Sequence, residues 1–131
     1  MKAVDTNVLV RILVRDDQQQ AETVYHMLKD AEKQKKTFFV PLLVSLELIW
    51  VLESVYEIKR HEILAVFEDL LAMPVLEFQS QSALRRFITL SKKSRIDLPD
   101  LLIAASSESA GCKQVITFDK RASTSELFEL L

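Results

Sequence analysis

The sequence predicts an α/β domain spanning residues 1–131, a three-layer α/β/α sandwich with a mainly parallel central sheet of four or five strands. Short apolar segments alternate with longer amphipathic ones along the chain, and strands separated by helices pair in parallel. One glycine and three prolines favour helices with short connections over an all-β sandwich. A chain of 131 residues is expected to form a single domain.

The predicted strands are short runs of apolar, aromatic and β-branched residues. Their expected positions are residues 2–4, 37–40, 74–78 and 114–118, and the tail from residue 127 is the candidate for a fifth strand. In open sheets of this kind, functional sites gather beyond the carboxyl ends of the strands.

Helices are predicted between these strands from the spacing of apolar residues. Thr6 or Asn7 is expected to cap the first helix, Pro41 to lie in the first turn of the third, and Gly111 to end the sixth. The six expected helices cover residues 8–14, 16–34, 41–56, 60–72, 82–93 and 97–111.

Composition limits the choice of compartment and partners. The net charge of −2 does not indicate a nucleic-acid binder, although it permits one basic face. Cys112 is the only cysteine, which suits a reducing compartment. The apolar stretch at residues 38–55 carries Glu47 and Glu53 and is a poor membrane span. We therefore expect a cytoplasmic protein with no membrane contact.

Several acidic residues occupy positions where a site is expected. Asp5 and Asp119 each follow a predicted strand directly, although either also suits a cap or turn. Glu47 lies within a helix that is apolar nearly all round, so we expect it to be largely buried. A buried carboxylate needs a partner, either a cation in an ion pair or a metal or active site.

Asp97 and Asp100 compete for the remaining acidic position. Asp97 has the spacing of a helix cap, and Asp100 falls in the first turn of the same helix. Several inward carboxylates repel one another unless a cation neutralises them, and an all-oxygen donor set suits Mg²⁺ or Mn²⁺. His26 and His61 do not form a zinc-binding spacing with Cys112.

Four segments, taken in order, resemble the PIN-domain family, and most closely the VapC-type toxins of bacterial toxin–antitoxin modules. They are residues 4–9 (VDTNVL), 44–52 (VSLELIWVL), 98–105 (LPDLLIAA) and 115–120 (VITFDK). The first segment alone is weakly specific, whereas all four within one chain of this length are strongly specific. Asp100 matches the family position better than Asp97, because it directly precedes the Leu-Leu-Ile-Ala-Ala run.

The resemblance implies a Mg²⁺-dependent endoribonuclease, with Mn²⁺ as a possible substitute, that hydrolyses phosphodiesters of tRNA or another RNA. Asp5 and Asp100 would bind the metal, and Glu47 and Asp119 would complete a catalytic set of four acids. Asn7 and Thr117 would orient the acids, or serve only as a cap and a strand residue.

The resemblance also implies that cations hold the RNA and that proteins bind the enzyme. Arg85 and Arg86 are weaker candidates for RNA contact. The stronger ones flank the acidic segments: Arg11, Arg15, Lys92, Lys93, Arg95, Lys120 and Arg121. A VapB-type antitoxin, a homodimer and a larger toxin–antitoxin assembly are expected. Trp50 would serve such an interface or pack in the core.

Two other functions fit parts of the sequence. A receiver domain of a two-component system has a similar layered fold, but it needs an aspartate after the third strand, where this chain has Gln79. A non-catalytic PIN-fold module for RNA binding or scaffolding is the alternative to the nuclease. The four intact acids argue against it.

Overall fold

The computed structural model describes residues 1–131 as six α-helices and five short strands, with every strand pairing in parallel. This confirms the predicted α/β class. The chain divides into two compact units, Met1–Gln79 (the first unit) and Ser80–Leu131 (the second unit). Each unit is described by itself.

The first unit is a three-stranded parallel sheet with four helices. The strand order is β1-β2-β3, with Lys2 opposite Phe38 and Phe39 opposite Glu77. The strands are β1 (Lys2–Ala3), β2 (Phe38–Val40) and β3 (Leu76–Phe78). The helices are α1 (Thr6–Leu13), α2 (Gln18–Lys33), α3 (Leu42–Ser54) and α4 (Arg60–Leu71).

Helix α3 buries one face in the core of the first unit. Ser45, Leu48, Ile49 and Leu52 on this face are fully buried, and their spacing of three and four residues follows the helical repeat. Burying an aliphatic side chain of this size contributes about 1.5–3 kcal/mol. The opposite face carries exposed apolar residues, so this helix is covered on one side only.

The start of α3 is fixed by the end of β3. Pro41 occupies the N-cap position and offers no capping side chain. Instead, the Oε1 atom of Gln79 accepts a hydrogen bond from the backbone N–H of Leu42 at 2.9 Å. The N–H of Gln79 donates to the Val40 carbonyl at 2.9 Å, so Gln79 ties the helix start to the adjacent strand.

The second unit combines two helices with a parallel pair of strands. Leu84, Phe87, Leu98 and Leu101 form its fully buried core. Arg86 Nε donates to Glu108 Oε1 at 2.9 Å and so joins the two helices at the surface. The elements are α5 (Gln81–Lys93), α6 (Leu98–Ser109), β4 (Val115–Thr117), a short 3-10 helix (Ala122–Thr124) and β5 (Phe128–Leu130).

All the predicted helices and strands form, and three details differ from expectation. The strands pair as one set of three and one of two, where one sheet was expected. Pro41 precedes α3 as its N-cap, because its ψ of 149° is extended and not helical. Helix α6 ends at Ser109, two residues before Gly111, whose φ of +94° is the left-handed conformation expected of a terminating glycine. No helix is both long and apolar enough to cross a membrane.

Removal of the Gln79 cap should destabilise the protein. Gln79→Ala leaves the Leu42 N–H without its acceptor, and we expect a loss of about 1 kcal/mol in the free energy of unfolding. Urea denaturation at neutral pH measures this change. Gln79→Glu keeps an acceptor at the same position and should retain most of the stability. Equal losses in both variants would show that the hydrogen bond is not the cause.

Candidate active site

Asp5 lies at the carboxyl end of β1 and begins α1. The N–H of Val4 donates to the Phe39 carbonyl at 2.9 Å, which extends the strand pairing up to the residue before Asp5. Asp5 is the N-cap of α1, and its Oδ1 accepts the N–H of Thr6 at 2.8 Å. The expectation that Thr6 or Asn7 caps this helix is therefore wrong, because the helix starts two residues earlier than its apolar pattern indicates. Asn7 is exposed in the first turn.

Glu47 is exposed, so the prediction that it is buried is wrong. The buried face of α3 is the opposite one, and Glu47 shares its own face with Leu43 and Trp50, which are 78% and 58% exposed. The predicted alternative of an ion pair does not occur either. Glu47 Oε1 accepts a hydrogen bond from the hydroxyl of Thr6.

Thr6 is a site residue that sequence reasoning missed. It is only 3% exposed. It contacts both candidate catalytic acids of the first unit, Asp5 through its N–H and Glu47 through its hydroxyl. Its position beside Asp5 suggested a helix cap and nothing more. The contact with Glu47 joins residues 41 positions apart, and no local pattern announces it.

Three acids of the second unit lie close enough to act on one another. Asp97 is the N-cap residue of α6, but its side chain makes no capping hydrogen bond. Asp100 is half-buried in the first turn of α6. Burial raises the pKa of the Asp100 carboxyl above its ordinary value, and the negative charges of Asp97 and Asp119 raise it further. Asp97 and Asp119 thus both lie within electrostatic reach of Asp100.

Asp119 follows β4 and is held by backbone groups. Its Oδ1 accepts the N–H of Arg121 at 2.9 Å and the N–H of Ala122 at 3.2 Å. Thr117 Oγ1 accepts the N–H of Asp119 at 3.0 Å. Thr117 therefore contacts the backbone of Asp119 and so stabilises the turn that carries Asp119.

The cationic candidates differ in how far they are engaged within the protein. Arg11 forms an ion pair with Asp16, and its Nε donates to Gln20 Oε1 at 2.8 Å. Arg121 Nη2 donates to the carbonyl of Arg95 at 3.2 Å, and Arg95 lies two residues before Asp97. Exposed positions are occupied by Arg15, Lys92, Lys93, Arg95, Lys120 and Arg121.

The four candidate acids, two in each unit, have no cationic side chain that neutralises them. None of Asp5, Glu47, Asp100 and Asp119 forms an ion pair with a cationic side chain. Carboxylate oxygens of this kind are ligands for Mg²⁺ and Mn²⁺. No group of three or more His, Cys, Asp or Glu side chains is arranged to hold a metal ion.

Comparisons with known proteins agree on one family. The sequence model of the PIN domain matches residues 2–125. A protein of Aquifex aeolicus (strain VF5) named VapC ribonuclease is 28% identical over 121 residues, which covers 92% of this chain and 89% of the relative.

The raised pKa of Asp100 predicts a stability that depends on pH. A folded-state pKa above the ordinary value of 3.8 means that ionising Asp100 destabilises the fold as the pH rises through that pKa. In EDTA at neutral pH, Asp100→Asn should therefore raise the urea midpoint. Well below pH 3.8, where wild-type Asp100 is protonated in both the folded and the unfolded state, the gain should vanish.

The control for this measurement is Glu77→Gln, which neutralises an exposed acid on β3 outside the cluster. It should show no comparable pH-dependent gain. An Asp100→Asn effect of the same size at both pH values would contradict the repulsion between ionised Asp100 and the charges of Asp97 and Asp119.

Proposed function

Because this chain belongs to the PIN-domain family, we propose that it is a metal-dependent endoribonuclease and the toxin of a VapBC-type toxin–antitoxin module. The observation that carries the proposal is the group of unneutralised carboxylates around Asp100, which burial and like charge make unfavourable without a cation. The relative named VapC ribonuclease supports RNA as the substrate. The reaction is hydrolysis of a phosphodiester of tRNA or another RNA.

The proposed cofactor is Mg²⁺, with Mn²⁺ as a substitute. Asp5 and Asp100 are the proposed protein ligands, which agrees with the habit of Mg²⁺ to take one or two carboxylates and to complete its shell with waters and phosphate oxygens. When bound, the cation lowers the pKa of a water molecule and stabilises negative charge on the phosphate.

The remaining acids have proposed roles that follow from their surroundings. Glu47 is exposed and makes one hydrogen bond, from Thr6, so its second carboxylate oxygen is open to orient or deprotonate the attacking water. Asp119 is held by backbone N–H groups and is proposed to complete the set of four acids. Thr117 maintains the Asp119 turn, and Asn7 is proposed to assist the acids from the first turn of α1.

RNA is held by cations at the borders of the acidic segments, because the acids themselves repel the phosphate backbone. Arg95 and Arg121 are supported by their position beside Asp97 and Asp119 in the second unit. Arg15, Lys92, Lys93 and Lys120 are exposed candidates. Arg11 has less support, because its guanidinium is held by Asp16.

Cleavage of RNA by the purified protein tests the nuclease proposal. We expect endonucleolytic cleavage of some members of a mixed RNA panel with Mg²⁺ or Mn²⁺, and none with EDTA. Asp5→Asn and Asp100→Asn should lose cleavage, and Glu47→Gln should lower kcat about a hundredfold or more if it acts as the general base. Sequencing of RNA 5′ ends identifies the cut sites.

Asp69→Asn, an exposed acid of α4, is the matched control and should cleave like the wild type. Cleavage that resists EDTA, or full activity of Asp5→Asn, would contradict the metal mechanism. RNA binding without cleavage by any metal-loaded form would instead support the non-catalytic module.

The proposed partners are a VapB-type antitoxin and a second copy of this chain, both working with it in the cytoplasm. The support is the relative's name together with the uncovered face of α3. Leu43 and Trp50 are large apolar side chains that stay exposed on this face, and adjacent exposed apolar side chains of this kind often mark an interface.

Trp50 fluorescence reports on this interface, because Trp50 is the only tryptophan. Its emission should shift to shorter wavelength as the protein concentration rises through the dimer range, or when the product of a neighbouring small gene is added, since either partner removes the indole from water. Light scattering on the same samples gives the mass. An unchanged emission in a proven complex would exclude Trp50 from the interface.

A further inference from the structure

Thr6 is one of only three buried polar residues in the protein, and it is the one between two proposed catalytic acids. Its N–H donates to Asp5 Oδ1 at 2.8 Å, and its hydroxyl donates to Glu47 Oε1. The buried neighbours Leu9 and Val10 on α1 belong to the core. Thr6 therefore joins the rigid interior to the two acids of the first unit.

The hydroxyl of Thr6 is not needed to cap its helix. Asp5 is the N-cap and supplies the capping oxygen, whereas Thr6 is the first helical residue. The hydroxyl reaches instead to α3, in a contact between residues 41 positions apart. A buried hydroxyl that serves neither the cap nor its own helix needs another explanation.

The two partners of this hydrogen bond differ in mobility. Thr6 is β-branched, which restricts its χ1 rotation, and it is buried. Glu47 is exposed and has three rotatable side-chain bonds, and ordering such a side chain costs up to about 2 kcal/mol. The hydrogen bond from Thr6 therefore restrains the direction of the Glu47 carboxylate.

We propose that Thr6 is a positioning residue, whose hydroxyl holds Glu47 in one rotamer and leaves Oε2 open to the attacking water. The catalytic part of this inference rests on the proposed nuclease function, whereas the positioning contact itself does not. Correct placement of a general base strongly affects the rate, and we expect the effect to fall on kcat because Thr6 is buried and so has little surface to offer to RNA.

The test compares three variants of the full chain. Thr6→Val removes the hydroxyl and keeps the shape, Thr6→Ser keeps the hydroxyl, and Thr89→Val removes an exposed threonine hydroxyl from α5 as the matched control. Two readouts are collected: the rotamer distribution of Glu47, from side-chain NMR couplings in metal-free protein, and the kcat and KM for a cleaved RNA.

We expect a single Glu47 rotamer in the wild type and in Thr6→Ser, and rotamer averaging in Thr6→Val. The kcat of Thr6→Val should fall about tenfold or more with little change in KM, and Thr6→Ser should recover most of that loss. Thr89→Val should match the wild type in both readouts.

The proposal is overturned if Glu47 stays in one rotamer in Thr6→Val, or if Thr6→Ser is as impaired as Thr6→Val. It is also overturned if Thr6→Val leaves kcat unchanged. Should the wild type cleave no RNA, the nuclease function fails, while the metal-free NMR measurement still decides whether Thr6 positions Glu47.

Discussion

The negative charge of the candidate catalytic acids is not cancelled inside the protein, and the other features of the site depend on this. None of the four acids forms an ion pair. Neutral donors hold three of them instead: backbone N–H groups at Asp5 and Asp119, and the Thr6 hydroxyl at Glu47. A neutral donor fixes the direction of a carboxylate without removing its charge, so the acids stay available to a cation.

Capping and catalysis look like competing roles when each aspartate is considered in the sequence, yet the hydrogen bonds in the structure are compatible with both. The first turn of a helix has free backbone N–H groups, and these can restrain a carboxylate. Asp5 caps α1, and Asp119 accepts two N–H groups of the turn leading into the 3-10 helix. Local backbone structure thereby positions both acids at the carboxyl ends of strands, without using a cationic side chain.

Helix α3 shows where sequence reasoning fails. Because nearly all of its residues are apolar, periodicity does not reveal which face is covered, and Glu47 was expected to be buried. The covered face contains Ser45, Leu48 and Ile49, and Glu47 lies on the exposed side with Trp50. Because this face of α3 is the uncovered one, Glu47 is open to solvent and large apolar side chains remain exposed on the same side of the helix.

The sequence by itself determined the α/β class, the six helices and four of the strands, and it proposed four acidic positions that stay a prediction. Apolar periodicity, proline and glycine act over a few residues, and the four segments shared with the PIN-domain family are continuous in the chain. Only the tertiary structure decided the pairing of strands in sets of three and two, the approach of Asp97 and Asp119 to Asp100, and the hydrogen bond from Thr6 to Glu47. These features depend on contacts between residues far apart in the chain, which no local pattern specifies.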